Sequence, residues 1–435
     1  MDDILEKAKN GDRKAQLQMG QRYSLGLSQK EDYTEAVKWY KLAAEQGEPF
    51  AQYRLGSCYW QGEGVEQDYG KALELYHKAA KNGSTEAMNV IGDCYTNGLG
   101  VNKDSNVAAT WYLKSANLGD TWAQRILGIC YMKGDGVDQN DFEAVRWFRK
   151  AAYSDDRRAC YYLGLQYDRC RGVTQPAIVP EKWYRRLFIR EREQDQFKWN
   201  EFEAVRWYRL AAESGVPEAL VKMGECCFNG RGTEKNFHEA IKWFLQGADE
   251  DLPEAKYYIG ICYLYGNGFK RISEFALRWF MKAAEQGFAQ AQYMIGWCYE
   301  TGEGVSQEYN EAAKWYRLAA EQGHSEAQFS LGDIYERCKD ADKRENEILK
   351  WYHLSAEQNN EEAQYRLWQF YKFSEGLKQD DLEAYFWCQL AAKNGSRDAK
   401  NDLELFSEDY DSKQKNIALD RVNKWIEDHN QILID

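Results

Sequence analysis

Six cysteines, Cys58, Cys94, Cys130, Cys226, Cys262 and Cys298, occupy one phase of a recurring spacing, all but Cys226 just before a tyrosine. Thiols in such a register could bind metal, pair as disulfides or act as nucleophiles. Equivalent positions in stacked copies would lie about 8–10 Å apart, beyond disulfide reach, and no second cysteine recurs beside them. They therefore read as small buried apolar side chains in a reducing compartment. Cys226-Cys227 and the scattered Cys160, Cys170, Cys338 and Cys388 have no metal-like spacing. The five histidines, His77, His238, His324, His353 and His429, share no repeated ligand partner. Turns of the form G-x-G invite a phosphate-loop reading, but they recur in most copies and no Gly-Lys-Ser/Thr follows, so turn geometry is the better account. Ser412-Lys413-Gln414-Lys415 fits S-x-x-K without the motifs that accompany it in penicillin-binding enzymes. No nucleophile, base and orienting group come together. The sequence supports no catalytic, cofactor or metal residue, and a non-enzyme is expected.

The elements that carry these residues follow from the spacing. An alanine recurs at Ala15, Ala51, Ala87, Ala123 and Ala159, then at Ala219, Ala255, Ala291, Ala327, Ala363 and Ala399, with every step 36 residues except one of 60. Each copy reads A-x-x-x-(L/I/M)-G-x-x-Y, then G-x-G-V, then A-x-x-W-Y-x-x-A-A-x-x-G. The apolar positions of both halves fall at helical spacing, which predicts two amphipathic helices packed as an antiparallel pair. The Gly56-type and Ala79-type positions allow close backbone approach, with Tyr and Trp of the facing helix filling the space beside them. Gly98, Gly100, Gly302 and Gly304 suit the reversal between the helices, and Gly47, Gly83, Gly119, Gly287 and Gly323 suit the stop after the second. Only Trp368 breaks the glycine series Gly20, Gly56, Gly92 and onward to Gly332. One pair cannot bury both faces, so the expected fold is all-α, a right-handed α/α superhelical solenoid of stacked helix-turn-helix repeats.

Composition agrees. With 44% hydrophobic and 15% aromatic residues and only five prolines in 435, the chain should fold and has little room for linkers. A formal net charge of −13 argues against a nucleic-acid or anionic-membrane partner. No apolar run is long enough to span a membrane, and the start Met1-Asp2-Asp3-Ile4 lacks a signal-peptide layout, so a soluble, cytoplasmic chain is expected.

These motifs resemble the Sel-one-like repeat family, a branch of the tetratricopeptide-repeat superfamily. The resemblance covers residues 2–400 as a single solenoid of about ten repeats with a leading half-repeat. Residues 401–435 look like the capping helices common in bacterial members. It implies a scaffold or adaptor that binds a protein or peptide and uses no cofactor. The superfamily's groove positions, carried onto this chain, are Tyr53, Trp60, Trp122, Arg125, Tyr161, Phe228, Tyr257, Tyr265, Tyr293, Trp297 and Tyr365. Aromatics recur so regularly at the Tyr53 phase that packing between copies is an equal reading of that row. Two alternatives stay open: an immunity or regulatory protein that neutralises a toxin or secreted effector, and, from another class, a β-lactam-binding hydrolase of the kind suggested for relatives.

The 60-residue step marks a 24-residue insertion around 174–199. Trp183-Tyr184-Arg185 repeats the second-helix signature, and Trp207-Tyr208-Arg209 repeats it again with no first helix between, which reads as a partial duplication. Arg185, Arg186 and Arg190 make the segment locally basic, either as a tolerated surface insertion or as an element for partner docking or self-association.

Overall fold

The computed structural model describes residues 2–26, 31–173, 194–337, 345–373, 380–406, 408 and 410–432. The described residues form helices joined by turns, with no strand among them. They gather into two compact units, residues 1–235 and 236–435. Each unit is an all-α repeat solenoid in which consecutive helices pack as pairs.

The first unit opens with a half-repeat, Asp2–Lys9, followed by pairs such as Pro49–Gln61 with Tyr69–Lys81 and Thr121–Lys133 with Asp141–Tyr153. The second unit contains Pro253–Tyr265 with Ser273–Ala284, Ala289–Thr301 with Tyr309–Glu321, and Ser325–Arg337 with Glu345–Ala356. It ends in Arg397–Leu405 and Ser412–Ile432, the latter packed on Asp381–Asn394.

Local chemistry sets these boundaries. Asp12, Ser84, Asp120 and Asp156 accept from the N–H of Ala15, Ala87, Ala123 and Ala159, so each of these recurring alanines is the capped donor of a first helix. First helices end on glycines with positive φ, Gly62 at 75° and Gly302 at 76° among them. The second glycine of each turn has a different reason to be there. A Cβ on Gly64 would lie 2.3 Å from the Tyr33 carbonyl oxygen, and one on Gly304 2.6 Å from that of Ser273. The turn thus rests its backbone on the start of the preceding second helix. Where the stop after the second helix lacks glycine, Asp155, Asp251 and Asn359 take the left-handed conformation instead, at φ 74°, 63° and 63°.

Part of the insertion is absorbed by a longer helix. Gln194–Glu213 runs 20 residues where its counterparts run about 13, and it packs on Arg157–Asp168. Its early turns are anchored by Trp199, edge-on to Tyr167 at 5.5 Å, and by Asn200, which donates to the Cys170 sulfur at 3.2 Å. The second-helix copy read near Trp183, together with Arg185, Arg186 and Arg190, lies outside the described residues.

Candidate functional site

The first-helix surface is arranged by what the second helix sends toward it. In eight pairs, those of Gly20, Gly56, Gly92, Gly128, Gly164, Gly260, Gly296 and Gly332, an aromatic ring from the second helix lies against the first-helix glycine. A Cβ on Gly56 would meet the Tyr76 ring at 2.8 Å, one on Gly128 the Phe148 ring at 2.6 Å, and one on Gly296 the Tyr316 ring at 2.5 Å. The spacing read as close backbone approach is thus a socket for this ring. Its Trp neighbour points elsewhere: Trp111 packs on His77 at 5.4 Å and Trp387 on His353 at 5.4 Å, each a ring of the preceding second helix.

Trp368 breaks the series for a steric reason. Its pair partner, Trp387-Cys388, carries cysteine where other copies carry the ring, so bulk has moved from the second helix to the first. Trp368 is 2% exposed and Cys388 1%.

Where a tyrosine fills the socket, its hydroxyl passes through to polar side chains of the first helix. Tyr112 donates to Asp93 at 2.8 Å, Tyr316 to Glu300 at 2.6 Å and Tyr352 to Glu336 at 2.5 Å. Burial raises the pKa of these phenols, and their carboxylate partners raise it further, so they remain protonated donors.

The candidate groove residues divide by environment. At the Tyr53 phase, rings lean on the socket ring of their own repeat: Tyr53 on Tyr76 at 5.9 Å, Tyr161 on Tyr208 at 6.1 Å, Tyr257 on Phe280 at 5.9 Å and Tyr293 on Tyr316 at 5.6 Å. The packing is therefore within a repeat, although each ring stays partly open to solvent. Tyr365, whose repeat lacks a socket ring, lies against Trp368 at 5.3 Å and donates to Asp402 at 2.7 Å. Trp60 is held edge-on to Tyr69 at 4.7 Å, and Trp122 packs on Tyr112 at 5.8 Å. Arg125 forms a 2.9 Å ion pair with Asp156, both side chains under 15% exposed (12% and 13%), and so links two repeats. Phe228 and Trp297 are half-buried, whereas Tyr265 is 61% exposed.

In the second unit three of these residues meet. Tyr257, Tyr293 and Trp297 border one apolar cluster, and Tyr293 stacks at 4.9 Å on His324, which faces Glu326 at 3.3 Å. Sequence reasoning passed over Glu300, Glu326 and Glu336 beside them. Asp333 is clamped by Arg337 at 2.5 Å and Arg366 at 3.3 Å, and Arg337 also reaches Glu300 at 3.5 Å. Glu326 is 61% exposed at its side chain. Glu300, Glu326 and Glu336 stand at first-helix positions whose residue type varies between copies, which is why the repeat pattern hid them.

Charge divides between the units as well. Residues 1–235 hold 34 Lys+Arg and 34 Asp+Glu, and residues 236–435 hold 23 and 36, so the whole −13 belongs to the second.

Burial pushes the thiols of Cys58, Cys94 and Cys130 up to about 11 and those of Cys226, Cys262 and Cys298 up to about 12, as suits inert core cysteines. Ser412 and Lys415 stand in the first turn of the last helix. There Asp411 and Gln414 cap each other's backbone N–H reciprocally, at 3.0 and 2.7 Å. Among the described residues no group of three or more His, Cys, Asp or Glu could hold a metal ion, and no helix is long and apolar enough to cross a membrane.

The Sel1 repeat matches ten segments of the chain, 13–48, 49–84, 85–120, 123–156, 193–216, 217–252, 253–288, 289–324, 349–360 and 361–396. No curated protein matches significantly. Among solved structures, the chain is similar to a protective antigen of uropathogenic Escherichia coli that displays an SLR fold. The identity is 28%, over 98% of this chain and 94% of that one, with a TM-score of 0.67. It is also similar to a Sel1 repeat protein from Oxalobacter formigenes, with 29% identity over 77% of this chain and 90% of that one and a TM-score of 0.56.

Proposed function

Since the chain belongs to the Sel1 repeat family, we propose that it is a non-enzymatic scaffold that holds a protein or peptide partner against the surface of its first helices. One observation carries this reading. The socket rings of the second helices are buried as core, and besides exposed second-helix rings such as Tyr69 and Phe142, first-helix aromatics such as Trp60, Trp297 and Tyr265 remain partly or largely open to solvent. Large rings held by rigid neighbours and left accessible on one side are the usual anchors of protein interfaces. The cytoplasm is the compartment proposed, in keeping with repeat cysteines such as Cys58, Cys94, Cys262 and Cys298 that are buried and form no disulfide.

The test is a titration of the partner captured from the cells that make this protein. Trp60→Ala and Trp297→Ala are each expected to weaken binding about tenfold or more, as truncation of an interface anchor does. Unchanged affinity in both variants would overturn the assignment of the first-helix surface.

A further inference from the structure

The second unit specifies a partner chemistry, and this inference rests on the scaffold reading above. We propose that the first-helix surface of residues 253–337 takes an extended peptide bearing Lys or Arg side chains, which lie on the rings of Tyr265 and Trp297 and beside the carboxylates of Glu300, Glu326 and Glu336.

The argument starts from which charges are cancelled. Asp333 faces two guanidinium groups and is neutralised locally. Glu300 and Glu336 are held chiefly by the tyrosine hydroxyls of Tyr316 and Tyr352. A phenol donor fixes the direction of a carboxylate without removing its charge. Among the described residues Glu326 pairs with His324 alone, at 3.3 Å, and burial lowers the His324 pKa, so that ring is neutral at pH 7. Four carboxylates, Glu300, Glu326, Asp333 and Glu336, thus face two guanidinium groups, Arg337 and Arg366, and an excess of negative charge stays on this surface.

The aromatic component is independent of the charges. Tyr265 ends its helix with 61% of its surface open, while Tyr257 and Tyr293 are fixed by ring contacts at 5.9 and 5.6 Å. Open rings beside uncancelled carboxylates suit ammonium and guanidinium groups through cation–π and Coulomb attraction together. The first unit offers a different setting, because its net charge is zero and its first helices carry Arg54 and Arg158. A basic partner therefore has one preferred unit.

Fluorescence anisotropy on the full chain tests this, with a labelled peptide alternating lysine and leucine and a matched peptide alternating glutamate and leucine. The lysine peptide is expected to bind about tenfold tighter or more. Tyr265→Ala should weaken it about threefold to tenfold, and Glu326→Lys by about tenfold. Glu74→Lys, the same change of charge on an exposed second-helix position of the first unit, should leave it unchanged. Equal binding of the two peptides, no binding of the lysine peptide, or an equal loss in Glu74→Lys would overturn the proposal. If the captured partner still requires Trp60 and Trp297 while the lysine peptide shows no preference, the scaffold reading stands and only the basic specificity falls.

Discussion

At the scale of single residues the repeat is a lock between a glycine and a ring. Overpacking a close contact costs about 1–3 kcal/mol, and removing a large buried side chain about 3–5 kcal/mol. The exchanged pair Trp368 and Cys388 makes this testable, because bulk sits on the opposite helix there. Trp368→Gly is expected to destabilise strongly by leaving a cavity, and Cys388→Tyr to destabilise by overfilling. The double variant should be more stable in chemical denaturation than Trp368→Gly alone, since the new ring finds the new socket. Additive losses would show that the two positions do not share a space. The glycine series was legible in the sequence, and so was its exception, but its cause was not. The ring that fills the socket lies about twenty residues away, so glycine spacing alone cannot distinguish close helix approach from a seat for an aromatic.

Between elements, the repeats are joined by a row of buried amides. Gln52, Gln328 and Gln364 donate to the carbonyls of Ala44, Ala320 and Ala356 in the preceding repeat at 3.0 to 3.1 Å. They accept in turn from Asn82, Gln358 and Asn394 of the next second helix at 3.0, 2.8 and 2.9 Å. Where lysine replaces the amide, at Lys256, the partner becomes Asp251 at 2.5 Å, in the slot usually held by glycine. One helix start is sensitive to pH. His324 accepts the Ala327 N–H at 3.3 Å through Nδ1, the role played elsewhere by Asp or Ser. Burial lowers the pKa of His324, and of His353 as well, below the ordinary 6.5. The unfolded chain therefore binds these protons more readily, so the stability is complete above about 6.5 and is lost as pH falls below it. The melting temperature should drop between about pH 7 and pH 5, and His324→Asn, which keeps a neutral cap, should reduce that drop. An identical drop in both proteins would remove the cap from the explanation. Helix positions, caps and stops were legible because side-chain periodicity and cap chemistry are local. The continuation of Gln194–Glu213 into the insertion was not, because Trp199 is fixed by a contact with Tyr167 in the preceding helix.

For the molecule as a whole, the sum of −13 concealed a neutral first unit and an acidic second one. The candidate surface was only half legible for the same reason. Aromatics recur with the repeat and stand out, whereas Glu300, Glu326 and Glu336 stand at phases that other copies fill with residues as different as Lys14, Phe50, Trp122 and Leu264. Stability in such arrays is carried by neighbouring repeats, so damage should stay local. Gly296→Ala, whose Cβ would meet the Tyr316 ring at 2.5 Å, is expected to cost about 1–3 kcal/mol. In hydrogen exchange it should lower protection across about residues 289–337, while the helices Pro49–Gln61 and Tyr69–Lys81 keep theirs. Loss of protection throughout the chain would contradict that locality.

The row of buried amides has a mechanical consequence. Each glutamine ties the end of the preceding repeat to the end of its own repeat's second helix, so a tension applied along the stack loads these ties in series. Pulled in an optical trap, the chain should yield in small successive steps, each releasing about one helix pair, and should recoil by the same steps when the force is relaxed.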